Sequence, residues 1–496
     1  MLLSTLLLIP LVGSIFVLFL PSEERKLIER SALFFSGIAL FYSIALLWTL
    51  DYQEGIIQLE EIYRWIPSIN VRYHIGVDGI SMPLVILTTL LTFVSILYST
   101  IDIERRLKEY YFLFLLLEFG MLGVFLALDF FLFYLFWEIS LVPMYFIIGV
   151  WGGPKKEYVA IKFFLYTLFG SLAMLLAILL LYFTSSPHTF DILQLTQQKP
   201  LSGKPLLEGL AFLGFFLAFA IKLPSFPFHT WLPDAHVEAP TAGSVILAGI
   251  LLKMGGYGFY RILLPILPEA CFRYAPWVGL LALMSIVYGA LVAMAQSDFK
   301  RLVAYSSVNH MGYVLLAFTA ASFTAGNWTK EASLALTGGV LEMVAHGLIT
   351  GSLFLLVGMI YVRTHNRDLN KYGGLGAILP RYGGFLSFFC LASLGLPGLA
   401  GFAAEFTIFL GSFSSAKEFV AFALLGVIIT AAFFLWTIRR VLQGPLNPDY
   451  EKVEDIGKID ILSLAPLALG TFLMGVYPFP LIEFIQKAIK VTLGIM

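Results

Sequence analysis

FFLAFAIKLPSFPFHTW, residues 215–231, places Lys222 and Pro224 inside a run that otherwise reads as a membrane-spanning helix. A charge at bilayer depth costs roughly 2.5–3.5 kcal/mol on insertion scales and is normally kept where an ion or substrate pathway needs it. Proline removes a backbone hydrogen bond and clashes with the preceding turn. In lipid such a break survives only where protein or water satisfies the freed carbonyls. FFCLASLGLPGLAGFAAEF, residues 388–406, repeats the pattern with Pro397 at the break and Glu405 as the charged neighbour. Interrupted helices at corresponding places in two halves are a pointer to inverted repeats with ion sites at the membrane midplane.

Composition agrees with a polytopic membrane protein. The 496 residues are 59% hydrophobic and only 13% charged, against about 25% charged in a soluble domain. Sixteen per cent are aromatic, 46 of them Phe, which suits a lipid-facing surface with interfacial belts. A net charge of -1 and a pI near 6.7 exclude the clustered basic face of a nucleic-acid binder. Cys271 and Cys390 are the only thiols, too few for a four-thiolate iron–sulfur cluster.

Apolar runs of about 20 residues mark spanning helices. They fall near 2–20, 31–50, 80–101, 110–128, 130–150, 159–184, 206–224, 241–264, 276–296, 302–323, 333–362, 383–411, 418–438 and 461–480. The expected fold is all-α, with about 14 transmembrane helices and broken helices 7 and 12. The first run is too long for a signal-peptide core and is read as a retained helix. Residues 51–78 alternate apolar and polar, which predicts a small hairpin; 185–205 reads as plain loop, and the tail from Pro478 as interfacial. Of the 31 Lys and Arg, 18 lie in loops after odd-numbered helices and 10 on the opposite side, leaving Lys162, Lys222 and Lys253 inside helices. The positive-inside rule puts the first set in the cytoplasm and both termini outside. Lys162 can snorkel from its place near a loop. An odd count of five helices from break to break makes the repeats inverted, 110–264 and 276–441, flanked by 1–109 and 442–496.

Six buried ionisable groups are candidates for moving charge. Glu138, in FFLFYLFWEISLVPMYF, is the expected partner of Lys222. Burial and a nearby acid act in opposite senses on a lysine, and a balanced site can take up or release a proton when its neighbour moves. The rival reading of Lys222 is a helix-cap lysine satisfying the opened carbonyls. Lys253 is the next step; Arg261, two turns on, reads as the better interfacial anchor. His310 and His346 suit a relay near neutral pH, or are simply hydrogen-bonded. Glu405 follows the second break, with Glu342 and Glu118 ranked below it. His229, Asp234, His236 and Glu238 would line proton uptake from the cytoplasm or belong to a satisfied re-entrant loop. No metal site is expected, since no third ligand sits at helical spacing.

With KLPSFPFHTWLPDAHVEAPTAGSVILAGILLKMGGYG, FWEISLVPMYF, QSDFKRLVAYSSVNHMGYV and GVDGISMPL, the chain resembles the proton-conducting membrane transporter family. That family comprises the antiporter-like subunits of respiratory complex I, Mrp-type antiporters and membrane-bound hydrogenases. Glu405 where other types carry lysine, the NHM triplet at Asn309–Met311 and the end after helix fourteen resemble the family's M type. The resemblance implies a proton-translocating subunit of an NADH (or ferredoxin):quinone oxidoreductase, with an Mrp-type Na+/H+ antiporter or a hydrogenase arm as alternatives. It implies Glu138 and Lys222 as coupling pair, Lys253 as central relay, His310 and His346 on family histidine positions, and Glu405 as the terminal exchange site. Glu342 stands where a neutral polar residue is expected. The resemblance also implies no cofactor in this chain, with flavin, Fe–S clusters and quinone site in partner subunits. The implied neighbours are L-type and N-type subunits and lipid, with no nucleic acid. The implied location is the bacterial plasma membrane or a thylakoid.

Overall fold

The structure, a computed structural model, describes residues 1–52 and 55–495. The helices are α1 (Leu2–Leu18), α2 (Arg25–Leu46), α3 (Ser81–Asp102), α4 (Leu107–Leu126), α5 (Phe130–Trp151) and α6 (Lys156–Thr184). Then come α7 (Ile192–Gln198), α8 (Pro205–Lys222), α9 (Trp231–Glu238), α10 (Thr241–Ile266), α11 (Pro268–Met294) and α12 (Phe299–Ser322). The last six are α13 (Lys330–Thr364), α14 (Pro380–Ser393), α15 (Ala400–Ser412), α16 (Lys417–Leu442), α17 (Lys458–Val476) and α18 (Phe479–Leu493).

Among the described residues, 11 helices are long and apolar enough to cross a membrane. Three further expected spans fall outside that set for different reasons. α1 has 17 residues. α12 has the length, but Lys300, Arg301, Asn309 and His310 dilute its apolar character. The expected span 383–411 is two short helices, α14 and α15, on either side of a break. The most enclosed elements are α10 and the 35-residue α13, whose apolar windows are wholly buried. Around α13 pack α12, α15, α17 and α18, so the second half of the chain is built on it.

Both breaks form where the prolines lie, and each is repaired locally. Pro224 cannot donate to the Ala220 carbonyl; the Ser225 amide does so at 3.0 Å. The Ile221 carbonyl accepts the Trp231 indole N–H at 3.0 Å. At the second break the Leu396 amide reaches back to the Leu391 carbonyl at 3.1 Å. Gly395 turns there with φ +82°, a conformation that side chains resist.

The hairpin is present as β1 (Gln58–Ile66) and β2 (Val71–Val77), antiparallel, with Tyr63 opposite Tyr73; residues 53 and 54 of the expected 51–78 unit lie outside the described residues, as does 496 of the closing segment. The stretch 185–205 is not plain loop. Asp191 accepts from the Gln194 amide and caps α7, a signal read over because the helix has only 7 residues. The tail forms α18, which buries Phe484, Ile485, Ala488 and Ile489 against α13.

His74 ties the hairpin to α7: its ring nitrogens lie 2.8 Å from Asp191 and 3.2 Å from Glu60. Burial works against the imidazolium, but the two acids outweigh it and hold the His74 pKa above the ordinary value. A raised folded-state pKa stabilises the fold fully below the unfolded value of about 6.5, and that contribution is lost as pH rises through the folded value. Hydrogen-exchange protection of β1 and β2, corrected for intrinsic rates, is therefore expected to fall on the alkaline side. A His74→Gln chain should lack that step; an identical step in the variant would refute the assignment.

Candidate functional site

The two lysines are presented by helices whose regular bonding is interrupted, whereas His310 and His346 sit on the unbroken α12 and α13. α10 contains two π turns, Leu247–Leu251 and Phe259–Leu263, on either side of Lys253; such bulges are frequent at functional sites. The Lys253 ammonium donates to the Ala248 carbonyl within the first of them and to Nδ1 of His346 at 2.6 Å. It does not snorkel. Gly255 lets α10 approach the first break: a Cβ there would stand 2.6 Å from the Phe219 carbonyl and 2.7 Å from the Leu223 amide.

From His346 the polar row continues across α12, α13 and α15. The His346 and His310 ring centroids are 5.8 Å apart. His310 Nδ1 lies 3.4 Å from Glu342 and 3.4 Å from Glu405, and its Nε2 is 3.1 Å from the Ser393 hydroxyl beside the second break. A cavity of about 10 Å³, roughly one water molecule in size, is bounded by His310, Glu342, His346, Thr350 and Ser393. Glu342, ranked low in sequence, is thus as close to His310 as Glu405 is. The ligand atoms of His310, Glu342 and Glu405 all lie within 4.8 Å of one another. The expectation of no metal rested on ligand spacing along one helix, and that argument does not hold here because three helices converge.

Lys222 and Glu138 are neighbours but not in contact. The Lys222 amine is buried and has no hydrogen-bond partner among the described residues. It faces the rings of Trp137 at 5.4 Å and Phe163 at 5.9 Å. Glu138 is half-buried next to Trp137 and acts on Lys222 electrostatically, with no ion pair formed. The carbonyls freed by the break are taken by Ser225 and Trp231, so Lys222 is not their cap.

The four residues expected to line proton uptake divide into two kinds. Asp234 accepts from Lys162 at 2.6 Å and Arg301 at 2.9 Å, so Lys162 ends in an ion pair. Glu238 accepts from the Lys155 amide at 2.9 Å. Asp234 and Glu238 line a cavity of about 490 Å³ with Lys155 and Arg301. Glu238 also lines a second, of about 210 Å³, with Asp102, Thr241, Lys300 and Arg367. The two histidines lie deeper: His229 among Phe226, Tyr288 and Tyr305, and His236 stacked on Phe354 at 4.3 Å.

Lys300 and Arg261 were misread in the sequence, and Glu118, ranked below Glu405 there, is buried as its apolar context implied. Lys300, read as a loop lysine, is buried and donates to the Ala239 carbonyl at 2.6 Å. Arg261 is no interfacial anchor, being buried and ion-paired with Asp78. Glu118 is fully buried with neither carboxyl oxygen hydrogen-bonded among the described residues, and it stands apart from the row.

Comparison with known proteins bears on this arrangement. Residues 127–430 match the family described as NADH:quinone oxidoreductase/Mrp antiporter, TM. The chain is 40% identical over 494 residues to NADH-quinone oxidoreductase subunit M of Rickettsia prowazekii (strain Madrid E), covering 98% of this chain and 97% of that one. It is 41% identical over 473 residues to NADH-ubiquinone oxidoreductase chain 4 of Chondrus crispus, covering 95% and 93%. A chain of respiratory complex I from Thermus thermophilus superimposes with TM-score 0.89 at 30% identity, covering 100% and 99%. A chain of the Mrp complex from Dietzia sp. DQ12-45-1b superimposes at 0.83 over 99% and 52% of the two chains; at 22% identity it speaks for the fold alone.

Proposed function

The chain belongs to the NADH:quinone oxidoreductase/Mrp antiporter membrane family, and from that premise we propose that it is an M-type proton-translocating subunit in the membrane arm of an NADH (or ferredoxin):quinone oxidoreductase. In this reading it has fourteen spans in two inverted five-helix repeats, 110–264 and 276–441. It sits between L-type and N-type neighbours in a bacterial plasma membrane. Flavin, iron–sulfur clusters and quinone belong to other subunits; this chain moves charge.

The observation that carries the reading is the buried row Lys253–His346–His310–Glu342/Glu405, joined by contacts of 2.6 and 3.4 Å and a 5.8 Å ring separation inside a hydrophobic core. Protons would arrive past Glu238 and His236 at Lys253, whose release of them depends on the charge held along the row as far as Glu405. Lys222 would set the charge state of Lys253 as Glu138 responds to a neighbouring subunit. The energy involved is modest: one charge crossing 100 mV costs about 2.3 kcal/mol, under two pKa units' worth.

Lys253→Met in the intact complex, reconstituted into sealed vesicles, tests the reading. The methionine keeps volume and loses the exchangeable proton. The expected result is a lowered proton-to-electron ratio; a ratio equal to that of the parent complex would reject the relay.

A further inference from the structure

Helix α10 connects two cavities on opposite sides of the molecule. Thr241, at its start, lines the cavity of about 210 Å³ among Lys300 and Arg367, the cytoplasmic side by the positive-inside rule. Arg261 and Pro265, at its end, line one of about 400 Å³ that also reaches Glu60, Asp78, Thr196 and Thr492. That cavity lies under the hairpin, α7 and α18, on the extracytoplasmic side. Lys253, Tyr257 and Arg261 are spaced i, i+4, i+8 and so share one face of the helix, about 6 Å apart per step and 12 Å in all.

The contacts along this face are polar and buried. The Tyr257 hydroxyl donates to the Phe125 carbonyl at 3.4 Å, and its ring lies 5.9 Å from the Arg261 guanidinium. Arg261 pairs with Asp78, both almost wholly buried, and reaches the Thr492 hydroxyl of α18 at 3.3 Å. Its Nε has no partner among the described residues. A buried ion pair contributes little net stability for its desolvation cost, so its position between the dry core and this cavity calls for another role. α18 packs closely here, since a Cβ on Gly79 would collide with the Phe484 carbonyl.

We propose that Tyr257, Arg261 and Asp78 form an extracytoplasmic proton outlet serving Lys253 directly, closed in this state by the Arg261–Asp78 pair under α18. The inference rests on the translocation reading above. The transfer balances simply: the Lys253 ammonium gives up one proton through the Tyr257 hydroxyl and intervening water. The Asp78 carboxylate takes one up when Arg261 swings toward Thr492, and releases it to the cavity. Arg261 stays charged throughout and acts as a positioning residue.

Two measurements in the vesicle-reconstituted complex test the outlet. The neutral pair Asp78→Asn with Arg261→Gln keeps hydrogen bonding and removes both charges; the proton-to-electron ratio is expected to fall to that of Lys253→Met, and Asp78→Glu to restore part of it. A parental ratio in the neutral pair, with Lys253→Met still defective, overturns the outlet alone. A parental ratio in Lys253→Met as well removes the translocation reading with it. Thr196→Cys needs no change at the pair: a membrane-impermeant maleimide added from outside is expected to label it and lower the ratio relative to the parent treated alike. Cys271 and Cys390 are both buried and leave this chain's background low. Complete labelling without effect on the ratio counts against the outlet even if the neutral pair fails to assemble.

Discussion

Lys222→Ala is expected to abolish proton translocation by this subunit while the complex still assembles. The two halves of that expectation have separate causes. Assembly survives because the lysine bridges no elements: its amine has no hydrogen bond among the described residues, and Ser225 and Trp231 repair the broken helix. Its ring contacts with Trp137 and Phe163 are worth about 0.5–2 kcal/mol, and removing a buried charge returns its desolvation cost. Translocation fails because Lys222 is the buried amine on which Glu138 acts, and alanine leaves that acid without it. Lys222→Arg separates charge from proton exchange, since a guanidinium remains protonated; it is expected to be as defective as alanine. Glu138→Ala should match Lys222→Ala, and Glu138→Asp should keep part of the activity. The measurement is the proton-to-electron ratio in sealed vesicles, with subunit content checked on a native gel. A normal ratio in Lys222→Ala refutes the scheme.

Local features were legible in the sequence. Prolines inside apolar runs located both breaks, because a missing N–H acts within one turn. Alternation gave the hairpin, and the misplaced charges gave Lys222, Lys253, Glu138 and Glu405. The features it hid are those made by distant parts of the chain. Asp78 and Arg261 are 183 residues apart, and nothing local says that they meet. Arg261 therefore read as an interfacial anchor, the usual fate of an arginine two turns beyond a buried lysine. Glu342 was discounted for the same reason: its meaning depends on α12 and α15 bringing His310 and Glu405 beside it. Lys300 sits at a helix start, where a lysine is normally in water, and the packing of the end of α9 against α12 buries it.

Replacing Glu342 and Glu405 together is expected to stop proton movement, whereas either replacement alone leaves part of it. His310 has two carboxylates at the same distance of 3.4 Å, so removing one leaves an acid in place. Breaking a buried charge pair costs roughly 3–5 kcal/mol when no partner remains, and that condition is met only in the double variant. Glu342→Gln and Glu405→Gln should therefore show non-additive losses, with a coupling on the order of 0.5–3 kcal/mol in the double-mutant cycle. Glu405 should matter more of the two, because its carboxylate lies against Gly395 of the broken helix, where an added Cβ would stand 3.1 Å from Oε2. A hinge motion at Gly395 thus moves the space beside Glu405 and leaves Glu342, in the middle of the continuous α13, where it is. Vesicle pumping rates for the two single variants and the double decide the matter. A double loss equal to the product of the single losses would mean that the acids act independently and that His310 is not their shared partner.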